Sequence, residues 1–393
     1  MAVTRGAVFA GAALALAFVV GFTVPASAVA RNAAASSAGS ARSADTALDR
    51  ALARFVRQTD GPPGVAVVVQ RGGRAALHQA GTADLATGTP IRAFESMRLA
   101  SVAKAFSGAV ALSLVAEGRL SLSDTVGQRL PGLPRAWARV TLRELLQHTS
   151  GIPDFSQTKA FQKALLKSLL KAPPPRVLLS FAPKKLNFPP GSRYEYSNSD
   201  NIIVGLMAEA ATGKSYEKEL RQRVFVPLGL EHTSLPRGAQ LPTPFVHGYD
   251  IAPPHPPADV TSVVAAGWAW ASGGIVSTPE DANAFIRAYV RGATTSPAVR
   301  QAQFTFRPGR SEPPGPGQNS AGLAIFRYQT RCGTVYGHTG NTLGYTQYVA
   351  ASANGRRSVV VSVNSQITPT SHPDRFRELR QIYTLAVCAA LAR

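Results

Sequence analysis

A serine and a lysine near the start of one predicted helix are spaced to act together on a substrate. Ser101 and Lys104 are three residues apart, so their side chains share a face of the helix expected over Ser101–Glu117. A serine hydroxyl becomes a nucleophile when a nearby base accepts its proton, and an amine can be that base. The first turn of a helix also presents free N–H groups, which stabilise an oxyanion. The pair therefore indicates acyl transfer through Ser101.

The Ser-x-x-Lys spacing is weak evidence by itself. It recurs at Ser156 and Lys159 in a polar loop, and at Ser168 and Lys171 in a lysine-rich helix. Taken alone, the motif at position 101 is more often a helix start than an active site. Other motifs have to decide between these two interpretations.

A tyrosine and an asparagine in the middle of the chain supply the second motif. Tyr196, Ser197 and Asn198 follow a Pro-Gly pair and precede a predicted helix, and they form the only Tyr-x-Asn sequence in the chain. A phenol can carry a proton between a serine and a leaving group. The structural alternatives are a core aromatic for Tyr196 and a helix cap for Asn198.

The third motif follows a short predicted strand near the C-terminus. His338, Thr339 and Gly340 form the only His/Lys-Thr-Gly sequence, and Asn341 comes next. A histidine at the end of a strand need have no chemical role. Three such motifs in the order Ser, Tyr, His are nevertheless harder to attribute to chance than any one of them.

Hydrophobic periodicity predicts the elements that position these motifs. The chain reads as a helix and strands, then helices broken by proline-rich loops, then strands and a last helix. This order predicts an α+β fold with a mixed sheet completed from both ends of the chain and an inserted all-helical domain between them. The predicted strands are Gly64–Gln70, Ala75–Ala80, Gly322–Tyr328, Thr334–Gly337, Gly344–Ala351 and Arg357–Val363. The predicted helices include Asp45–Gln58, Ser101–Glu117, Leu142–His148, Ala160–Leu170, Asn201–Ala211, Tyr216–Phe225, Pro279–Val290 and Pro373–Leu391.

The domain boundaries follow from composition. Residues 1–28 have a short basic start, an apolar run and an Ala-Ser-Ala sequence, which is typical of a cleaved secretory signal ending at Ala28 or Ala30. Residues 29–43 are rich in Ala and Ser and are expected to be a flexible lead. Residues 44–119 and 265–393 form the predicted α/β domain, and 120–264 form the helical domain. We therefore expect a secreted, extracellular protein that has no stable membrane insertion after cleavage.

Charge and cysteine content narrow the classes of partner. The formal net charge is +20, but the basic residues are scattered and no nucleic-acid-binding motif is present, so nucleic acid is not an expected partner. Such charge would favour electrostatic association with anionic cell-wall polymers. The chain's two cysteines, Cys332 and Cys388, cannot build a four-ligand zinc site, but in an oxidising compartment they can form a disulfide. Neither a metal nor a cofactor is expected, because no His-Glu-x-x-His motif and no phosphate-binding glycine loop occurs.

The ordered triple of motifs resembles the penicillin-recognising serine hydrolases. That family includes class C β-lactamases, secreted D-alanyl-D-alanine carboxypeptidases, and related esterases and aminopeptidases. The resemblance covers nearly all of the chain after the signal segment. It implies a β-lactamase/transpeptidase-like fold, in which an antiparallel sheet is flanked by helices and carries an inserted all-helical domain. It also rests on the segments Arg98–Ser101, Leu145–Gly151, Ser272–Thr278 and Tyr336–Gly340.

The resemblance implies a role for each matching residue. Ser101 would be the nucleophile, Lys104 its partner, and Tyr196 the group that passes the proton to the leaving amine. Lys104 is expected to lower the pKa of Tyr196 and so favour the phenolate. The substrate-binding residues would be Asn198, His338, Thr339, Gly340, Asn341 and Trp268, with the oxyanion held by the N–H groups of Ser101 and Asn341. For Trp268, core packing is an equally good alternative.

The histidine of the third motif most resembles the secreted carboxypeptidase branch, where the two cysteines also have a counterpart. One position departs from that branch. An arginine on the strand before the cysteine helps to hold the substrate carboxylate there, whereas this chain has Phe326, followed by Arg327 on the opposite face of the strand. A neutral ester or amide substrate therefore stays open.

These observations predict a secreted acyl-serine hydrolase, first of all a D-alanyl-D-alanine carboxypeptidase that acts on cell-wall peptide stems. The alternatives are a class C-like β-lactamase, a serine esterase of the same fold, and a catalytically silent penicillin-binding wall protein. The expected substrate is a small peptide or a β-lactam. An α/β-hydrolase is disfavoured because the chain has no Gly-x-Ser-x-Gly sequence. Ser199, Asp200 and Asn201 match a class A β-lactamase motif in letters only, because they overlap the Tyr-Ser-Asn context.

Overall fold

The structure is a computed structural model that describes residues 26–392. The predicted signal segment therefore lies almost entirely outside the described residues. The strands are β1 Gly64–Arg71, β2 Arg74–Gly81, β3 Met97–Arg98, β4 Tyr249–Asp250, β5 Ala258–Asp259, β6 Val276–Ser277, β7 Arg307–Pro308, β8 Gln318–Ala321, β9 Phe326–Thr330, β10 Gly333–Thr342, β11 Tyr345–Ala351 and β12 Arg357–Val363.

Helices account for most of the remaining regular structure. The α-helices are α1 Ala26–Val56, α2 Ala103–Ala116, α3 Val126–Arg129, α4 Leu142–Leu146, α5 Lys159–Lys167, α6 Pro175–Leu178, α7 Asn198–Thr212, α8 Tyr216–Leu220, α9 Val226–Leu228, α10 Trp270–Gly273, α11 Pro279–Arg291, α12 Pro297–Gln303 and α13 Pro373–Leu391. Short 3₁₀ turns cover Ala100–Val102, Arg135–Trp137, Phe155–Gln157, Leu179–Phe181 and Ala266–Trp268, and a π-helical turn covers Arg221–Phe225.

One eight-stranded sheet organises the fold. Its strand order is β2-β1-β12-β11-β10-β9-β8-β7, and every neighbouring pair is antiparallel. The first hairpin turns at Gly72 and Gly73, as the sequence predicts, and pairs Arg71 with Arg74. Strands from both ends of the chain thus complete a single sheet, which confirms the predicted α+β class.

Both faces of the sheet are covered, because alternate side chains of its central strands enter different cores. Val65, Val67 and Val69 of β1 pack with helices α1 and α13, through residues such as Leu52 and Tyr383. Val68 and Val360 point to the other face, where Phe106 of α2 and Phe285 of α11 stack with ring centroids 3.6 Å apart. The helix that follows Ser101 is therefore held between the sheet and the helical segment.

The inserted segment is mainly, rather than entirely, helical. Residues 120–264 contain α3 to α9, but Tyr249 and Asp250 also pair with Ala258 and Asp259 as a two-stranded ribbon. The loop between these strands is rich in proline, which cannot continue a helix. Most buried apolar side chains of this segment belong to the same cluster as α2 and one face of the sheet, while Leu241 and Val246 pack in a separate, smaller cluster.

The segment predicted to be a flexible lead, residues 29–43, lies within helix α1 in the structure. The physical reason is composition, since the segment is rich in alanine, which has the highest helix propensity. The part of α1 that packs is its C-terminal half, where Leu48, Leu52 and Phe55 are fully buried, as the sequence periodicity predicts.

The disulfide joins the last strands to the last helix. Cys332, between β9 and β10, is bonded to Cys388 of α13, and the two Cα atoms are 5.1 Å apart. The bond therefore links the start of the strand that carries the third motif to the helix packed beneath the sheet. Among residues 26–392, none of the helices is long and apolar enough to cross a lipid bilayer.

Candidate active site

Ser101 occupies a 3₁₀ turn that leads directly into helix α2. The turn covers Ala100–Val102, and the α-helix begins at Ala103, so the predicted helix start is correct to within one turn. Ala100 has a φ of 49°, in the left-handed region that costs a non-glycine residue about 1 kcal/mol or more. The backbone thus bends sharply just before the nucleophile, between buried residues on either side.

Lys104 is the residue that connects the motifs. Its side chain is completely buried, and its ammonium nitrogen lies 3.1 Å from Ser101 Oγ, 2.7 Å from Asn198 Oδ1 and 2.7 Å from the carbonyl oxygen of Ser272. The same nitrogen is 4.9 Å from the centroid of the Tyr196 ring. The structure therefore brings Ser101, Lys104, Tyr196 and Asn198 together.

Burial gives Lys104 the acid–base behaviour of a general base. Loss of solvent lowers the pKa of Lys104 from 10.5 to about 7, although the negative charges of Asp154 and Asp200 act in the opposite direction. A lysine with this pKa is substantially unprotonated near neutral pH. It can accept the Ser101 proton, whereas an exposed lysine would stay charged.

Tyr196 differs from the sequence-based expectation in its protonation state. Burial raises the pKa of the Tyr196 phenol well above its ordinary value, and the neighbouring Ser101 hydroxyl offsets only part of that effect. Tyr196 is therefore a neutral phenol, and the expected phenolate is wrong. Desolvation is the largest effect on this phenol, and the negative charge of Asp154 raises its pKa further. Within the described chain the Tyr196 hydroxyl has no hydrogen-bond partner, so its proton is available to a leaving group.

The ring of Tyr196 is supported from behind by a buried polar group. The centroid of its ring is 4.5 Å from that of His148, whose Nδ1 is 2.9 Å from Asp200 Oδ2. The hydroxyl of Ser150 donates to the other oxygen of Asp200. Asp200 thus has a structural position beneath the cleft, which agrees with the rejection of the Ser199-Asp200-Asn201 match as a catalytic motif.

Asn198 begins helix α7 with both ends of its side-chain amide engaged. Its Oδ1 accepts from Lys104, and its Nδ2 donates to Asp154 Oδ2 at 2.9 Å and to Ser156 Oγ at 3.0 Å. The structure places Asn198 in the cleft as predicted. Its role in holding a substrate amide stays a prediction.

Strand β10 carries the third motif past the nucleophile. A Cβ atom on Gly340 would lie 2.3 Å from the carbonyl oxygen of Leu99 and 3.2 Å from the backbone nitrogen of Ser101. Only glycine allows the strand to approach the 3₁₀ turn this closely. The predicted oxyanion donors, the N–H groups of Ser101 and Asn341, therefore come from two backbones in direct contact.

His338 is completely buried in the strand. Its Nδ1 is 2.6 Å from the carbonyl oxygen of Thr339, and its Nε2 has no hydrogen-bond partner among residues 26–392. Burial, followed by the charge of Lys104, lowers the pKa of His338 to about 3. His338 is therefore neutral throughout the pH range in which Lys104 becomes unprotonated.

Thr339 is also completely buried, and its hydroxyl donates to the carbonyl oxygen of Pro313 at 2.6 Å. The segment that contains Pro313 thus lies over the threonine of the third motif. Asn341 lies two residues further along the strand. Its side-chain nitrogen donates to Ile367 O at 2.7 Å and to Thr346 Oγ1 at 3.1 Å.

The arginine expected near this position in a carboxypeptidase is missing, as the sequence indicates. Phe326 is buried and packs edge-on against His338, with ring centroids 5.0 Å apart. Arg327 points elsewhere, because its guanidinium lies over the ring of Phe306 and donates to Ser320. Neither residue offers a cation to a substrate carboxylate at the third motif.

A cavity of about 220 Å³ opens beside the nucleophile. Ser101, Asn198, Trp268 and Asn341 share its lining, as the sequence predicts for a binding cleft. Trp268 is 5% exposed and donates to the carbonyl oxygen of Ser168, so it serves both alternatives, packing and cleft wall. The other apolar wall residues include Phe155, Phe161, Leu165, Val260, Val264 and Leu343.

Sequence reasoning missed three groups of this site. Asp154 fixes the Asn198 amide, His148 supports Tyr196, and the carbonyl of Ser272 binds Lys104. His148 and Ser272 belong to two of the segments on which the family resemblance rests, but no role was predicted for either residue. Asp154 lies three residues after the end of the segment Leu145–Gly151. Within the described part of the chain, no cluster of His, Cys, Asp and Glu side chains is arranged to hold a metal ion.

The Ser-x-x-Lys pairs at other positions are not sites of this kind. Ser156 contributes its hydroxyl to the Asn198 contact, but Lys159 starts helix α5 and is exposed. The Ser168 hydroxyl donates to the backbone of Lys171. The Ser-Lys pair at 101 and 104 is distinguished by the complete burial of its lysine.

Fold and site together define a serine hydrolase of the β-lactamase and penicillin-binding-protein fold. The family model described as Beta-lactamase matches residues 48–384, and the chain therefore belongs to the Beta-lactamase family.

Relatives within this family include peptidases and amidases. The chain is 33% identical to a D-aminopeptidase from Brucella anthropi over 199 residues, which is 49% of this chain and 36% of the relative. It is 29% identical to penicillin-binding protein 4* from Bacillus subtilis (strain 168) over 161 residues, 40% of this chain and 34% of that protein. The matches thus span about a third of the length of these curated relatives.

Among solved structures, a D-stereospecific amidohydrolase from Streptomyces sp. superposes with a TM-score of 0.75 at 27% identity, covering 85% of this chain and 98% of that one. The D-amino acid amidase from Ochrobactrum anthropi SV3, complexed with D-phenylalanine, superposes with a TM-score of 0.74 at 23% identity over 87% and 98% of the two chains. At that identity the second likeness concerns the fold alone.

Proposed function

We propose that this protein hydrolyses the amide bond on the carbonyl side of a D-amino-acid residue, through an acyl-serine intermediate on Ser101, and that it favours small uncharged leaving groups. The observation that carries the choice of leaving group is the contact between Thr339 and Pro313. Since the Thr339 hydroxyl is buried and already donates to Pro313 O, it offers no hydrogen bond to a terminal carboxylate. The phenylalanine at position 326 removes the other expected partner of that carboxylate.

The acylation step follows from the protonation states of the cleft. Neutral Lys104 accepts the Ser101 proton while Ser101 Oγ forms a bond to the substrate carbonyl carbon. The developing oxyanion is held by the backbone N–H groups of Ser101 and Asn341. Tyr196, a neutral phenol, then donates its proton to the leaving nitrogen as the C–N bond breaks.

Deacylation uses water as the nucleophile in place of Ser101. Lys104 returns its proton to the Tyr196 phenolate, which restores both groups to their starting states. Water adds to the acyl carbon while neutral Lys104 takes its proton, and the bond from the carbon to Ser101 Oγ then breaks with that proton returned to the serine oxygen. The products are the free amine and the D-amino acid.

The cavity beside Ser101 fits the side chain of the acyl residue. Its volume of about 220 Å³ and its walls of Phe155, Phe161, Leu165 and Trp268 favour an apolar or aromatic side chain. The D configuration is supported by the similarity to the D-aminopeptidase and to the D-stereospecific amidohydrolase, at 33% and 27% identity.

A second candidate is the D-alanyl-D-alanine carboxypeptidase that the sequence predicts. The observation that favours it is the His338-Thr339-Gly340 motif, which lies beside Ser101 as that activity requires. In this alternative, the segment around Pro313 would have to move away from Thr339 before a terminal carboxylate could bind. β-Lactamase and esterase activity use the same acylation chemistry and are secondary outcomes of the test below.

The test compares four substrates with the purified full chain. D-phenylalanine amide, L-phenylalanine amide, an acylated peptide ending in D-Ala-D-Ala, and a chromogenic β-lactam are assayed under identical conditions, with Ser101→Ala as the control. We expect the D-amide to be hydrolysed at least about tenfold faster than the L-amide and than D-Ala release, a difference of about 1.4 kcal/mol in transition-state binding. Faster D-Ala release than amide hydrolysis would replace this proposal by the second candidate.

We also propose export and cell-wall association, which are supported by residues 1–28 and by the net charge. Cleavage of the signal segment can be tested by determining the N-terminus of the secreted protein. N-terminal sequencing of culture medium and cell fractions would place the start after Ala28 or Ala30. A chain retained inside the cell with an intact N-terminus contradicts export.

A further inference from the structure

We propose that Asp154 is a positioning residue, which fixes the Asn198 amide so that its oxygen faces Lys104 and so holds Lys104 against Ser101. This inference rests on the acyl-serine mechanism proposed above, but it does not depend on the identity of the leaving group. Asp154 precedes the 3₁₀ turn Phe155–Gln157, and none of the three sequence motifs includes it.

The Asp154 carboxylate joins two segments that are distant in sequence. One oxygen, Oδ1, accepts from the backbone N–H and the hydroxyl of Ser156, both at 2.8 Å. The other, Oδ2, accepts from the backbone N–H of Asn198 at 3.1 Å and from its side-chain Nδ2 at 2.9 Å. The carboxylate thus anchors the first residue of helix α7 to the turn beside the cleft.

These contacts favour only one orientation of the Asn198 side-chain amide. Both hydrogens of Nδ2 are donated, one to Asp154 and one to Ser156, while Oδ1 accepts from Lys104. A flipped amide would direct N–H groups at the lysine and an oxygen at a carboxylate, which is unfavourable at both ends. Asp154 therefore ensures that the oxygen of the Asn198 amide, rather than its nitrogen, faces Lys104.

The fixed acceptor has a consequence for Ser101. Lys104 Nζ makes three contacts, to Ser101 Oγ, Asn198 Oδ1 and Ser272 O, and the last two determine where its lone pair points when it is neutral. If the Asn198 oxygen is lost, the lysine loses one of its two protein anchors. A nitrogen displaced by about an ångström is a much poorer base, since proton transfer depends on hydrogen-bond distance.

Asp154 also contributes charge to the same group. The carboxyl groups near Lys104 are Asp154 and Asp200, which favour its charged form, although burial raises the pKa of Asp200 itself well above its ordinary value. Tyr196, His148 and His338 are neutral near pH 7. Asp200 is engaged with His148 and Ser150 beneath the cleft. Removing the Asp154 charge is therefore expected to lower the pH at which Lys104 loses its proton.

The experiment measures how fast Ser101 reacts with a fluorophosphonate probe between pH 5 and 9. In that reaction the serine oxygen forms a bond to phosphorus, fluoride leaves, and the serine proton passes to the base. The probe reports nucleophile activation without requiring a particular amide substrate. If the D-amide is not the preferred substrate but the variants react with the probe as expected below, the positioning role stands and the proposed function does not.

For Asp154→Asn, we expect labelling at pH 8 to fall by about tenfold or more, and its acid limb to move to lower pH by at least about 0.3 unit, because a negative charge near Lys104 is lost. Asp154→Glu keeps the charge and is expected to retain the wild-type acid limb with a reduced rate. Ser156→Ala loses one bond to Asn198 without a change in charge, so it should lower the rate and leave the limb in place.

Asp124→Asn is the matched control for a lost carboxylate cap. Asp124 accepts from the backbone of Ser121 and pairs with Arg129, outside the cleft lining. Its replacement should lower the melting temperature without moving the limb or the rate at pH 8. The proposal is overturned if Asp154→Asn is folded and labels with the wild-type rate and limb. It is also overturned if rate losses in Asp154→Glu and Ser156→Ala follow only the folded fraction of each variant.

Discussion

At the residue scale, the chemistry depends on one buried amine. Lys104 lies at the centre of the site, with Ser101, Asn198 and Ser272 as its polar contacts and no exposed surface. Burial lowers its pKa to about 7, whereas it keeps Tyr196 protonated. In the proposed mechanism Lys104 is therefore the base for the serine, and Tyr196 is the acid for the leaving group.

The pH dependence of the reaction tests this division. The active form of Lys104 is neutral, so kcat/KM is expected to fall by about tenfold per pH unit below pH 7 and to level off above it. His338 should contribute no inflection between pH 5 and 9, because its pKa is about 3. The measurement is kcat/KM for a neutral amide over that range.

Lys104→Arg gives the matching variant, since arginine keeps its proton throughout this range. It is expected to lose about 10²–10⁴ in kcat, the usual contribution of a positioned base. A profile that stays flat down to pH 5 in the wild type, or an Arg variant with wild-type turnover at pH 8, would show that Lys104 is not the base.

At the element scale, the site requires that strand β10 pass very close to the 3₁₀ turn that carries Ser101. Gly340 is the residue at the contact, where a Cβ atom would meet Leu99 O at 2.3 Å. The local backbone is itself bent at Ala100. The relative position of these two elements, rather than any single side chain, places the two oxyanion donors.

Gly340→Ala is therefore expected to impair catalysis more than folding. The added methyl group pushes the strand from the turn, at a cost of about 1–3 kcal/mol in the free energy of unfolding. Loss of one oxyanion donor should lower kcat by about 10²–10³. Urea unfolding and kcat are measured for this variant and for Gly73→Ala, whose Cβ would contact nothing within 4 Å.

If Gly340→Ala retains wild-type kcat, or if Gly73→Ala loses as much activity, the close approach of β10 to the 3₁₀ turn does not position the oxyanion donors. Equal losses of stability in the two variants would mean that the contact at Leu99 O is not tight.

The elements themselves were largely predictable, because their patterns are local. The helix of α13 and the strand β12 have the predicted bounds, and the hairpin at Gly72 and Gly73 follows from its turn residues. The helix over 29–43 was missed because Ala-Ser composition suits both a flexible segment and a helix.

The site was predictable as a set of residue types but not as a set of protonation states. Ser101, Lys104, Tyr196 and Asn198 were identified from spacing and resemblance, and the structure brings them together. The protonation of Tyr196 depends on burial of its hydroxyl by residues distant in sequence, which no local pattern reports. The role of Asp154 depends likewise on a contact 44 residues away.

At the scale of the whole molecule, the net charge of +20 favours association with polyanions. Because exposed charges are screened by salt, retention on an anionic polymer matrix is expected to fall at least about tenfold as ionic strength rises from about 0.05 to 0.3 M. Uncharged cellulose is the control matrix. Retention that is independent of salt, or equal on both matrices, would contradict an electrostatic origin.

The site combines residues from three parts of the chain, which the fold brings together. Strand β10 belongs to the C-terminal part, Ser101 and Lys104 to the N-terminal part, and Asn198 to the helical segment between them. The disulfide between Cys332 and Cys388 ties the start of β10 to α13. Catalysis thus requires that all three parts of the chain fold together.

The most direct test of this account is to trap the acyl-enzyme. The full chain is mixed with a D-phenylalanine nitroanilide, quenched in acid within the first turnover, and analysed by intact mass and peptide mapping. We expect a D-phenylalanyl adduct on the peptide that contains Ser101, absent from Ser101→Ala and formed more slowly below pH 7. Turnover by Ser101→Ala at the wild-type rate, or an adduct on any other residue, would contradict the central claim.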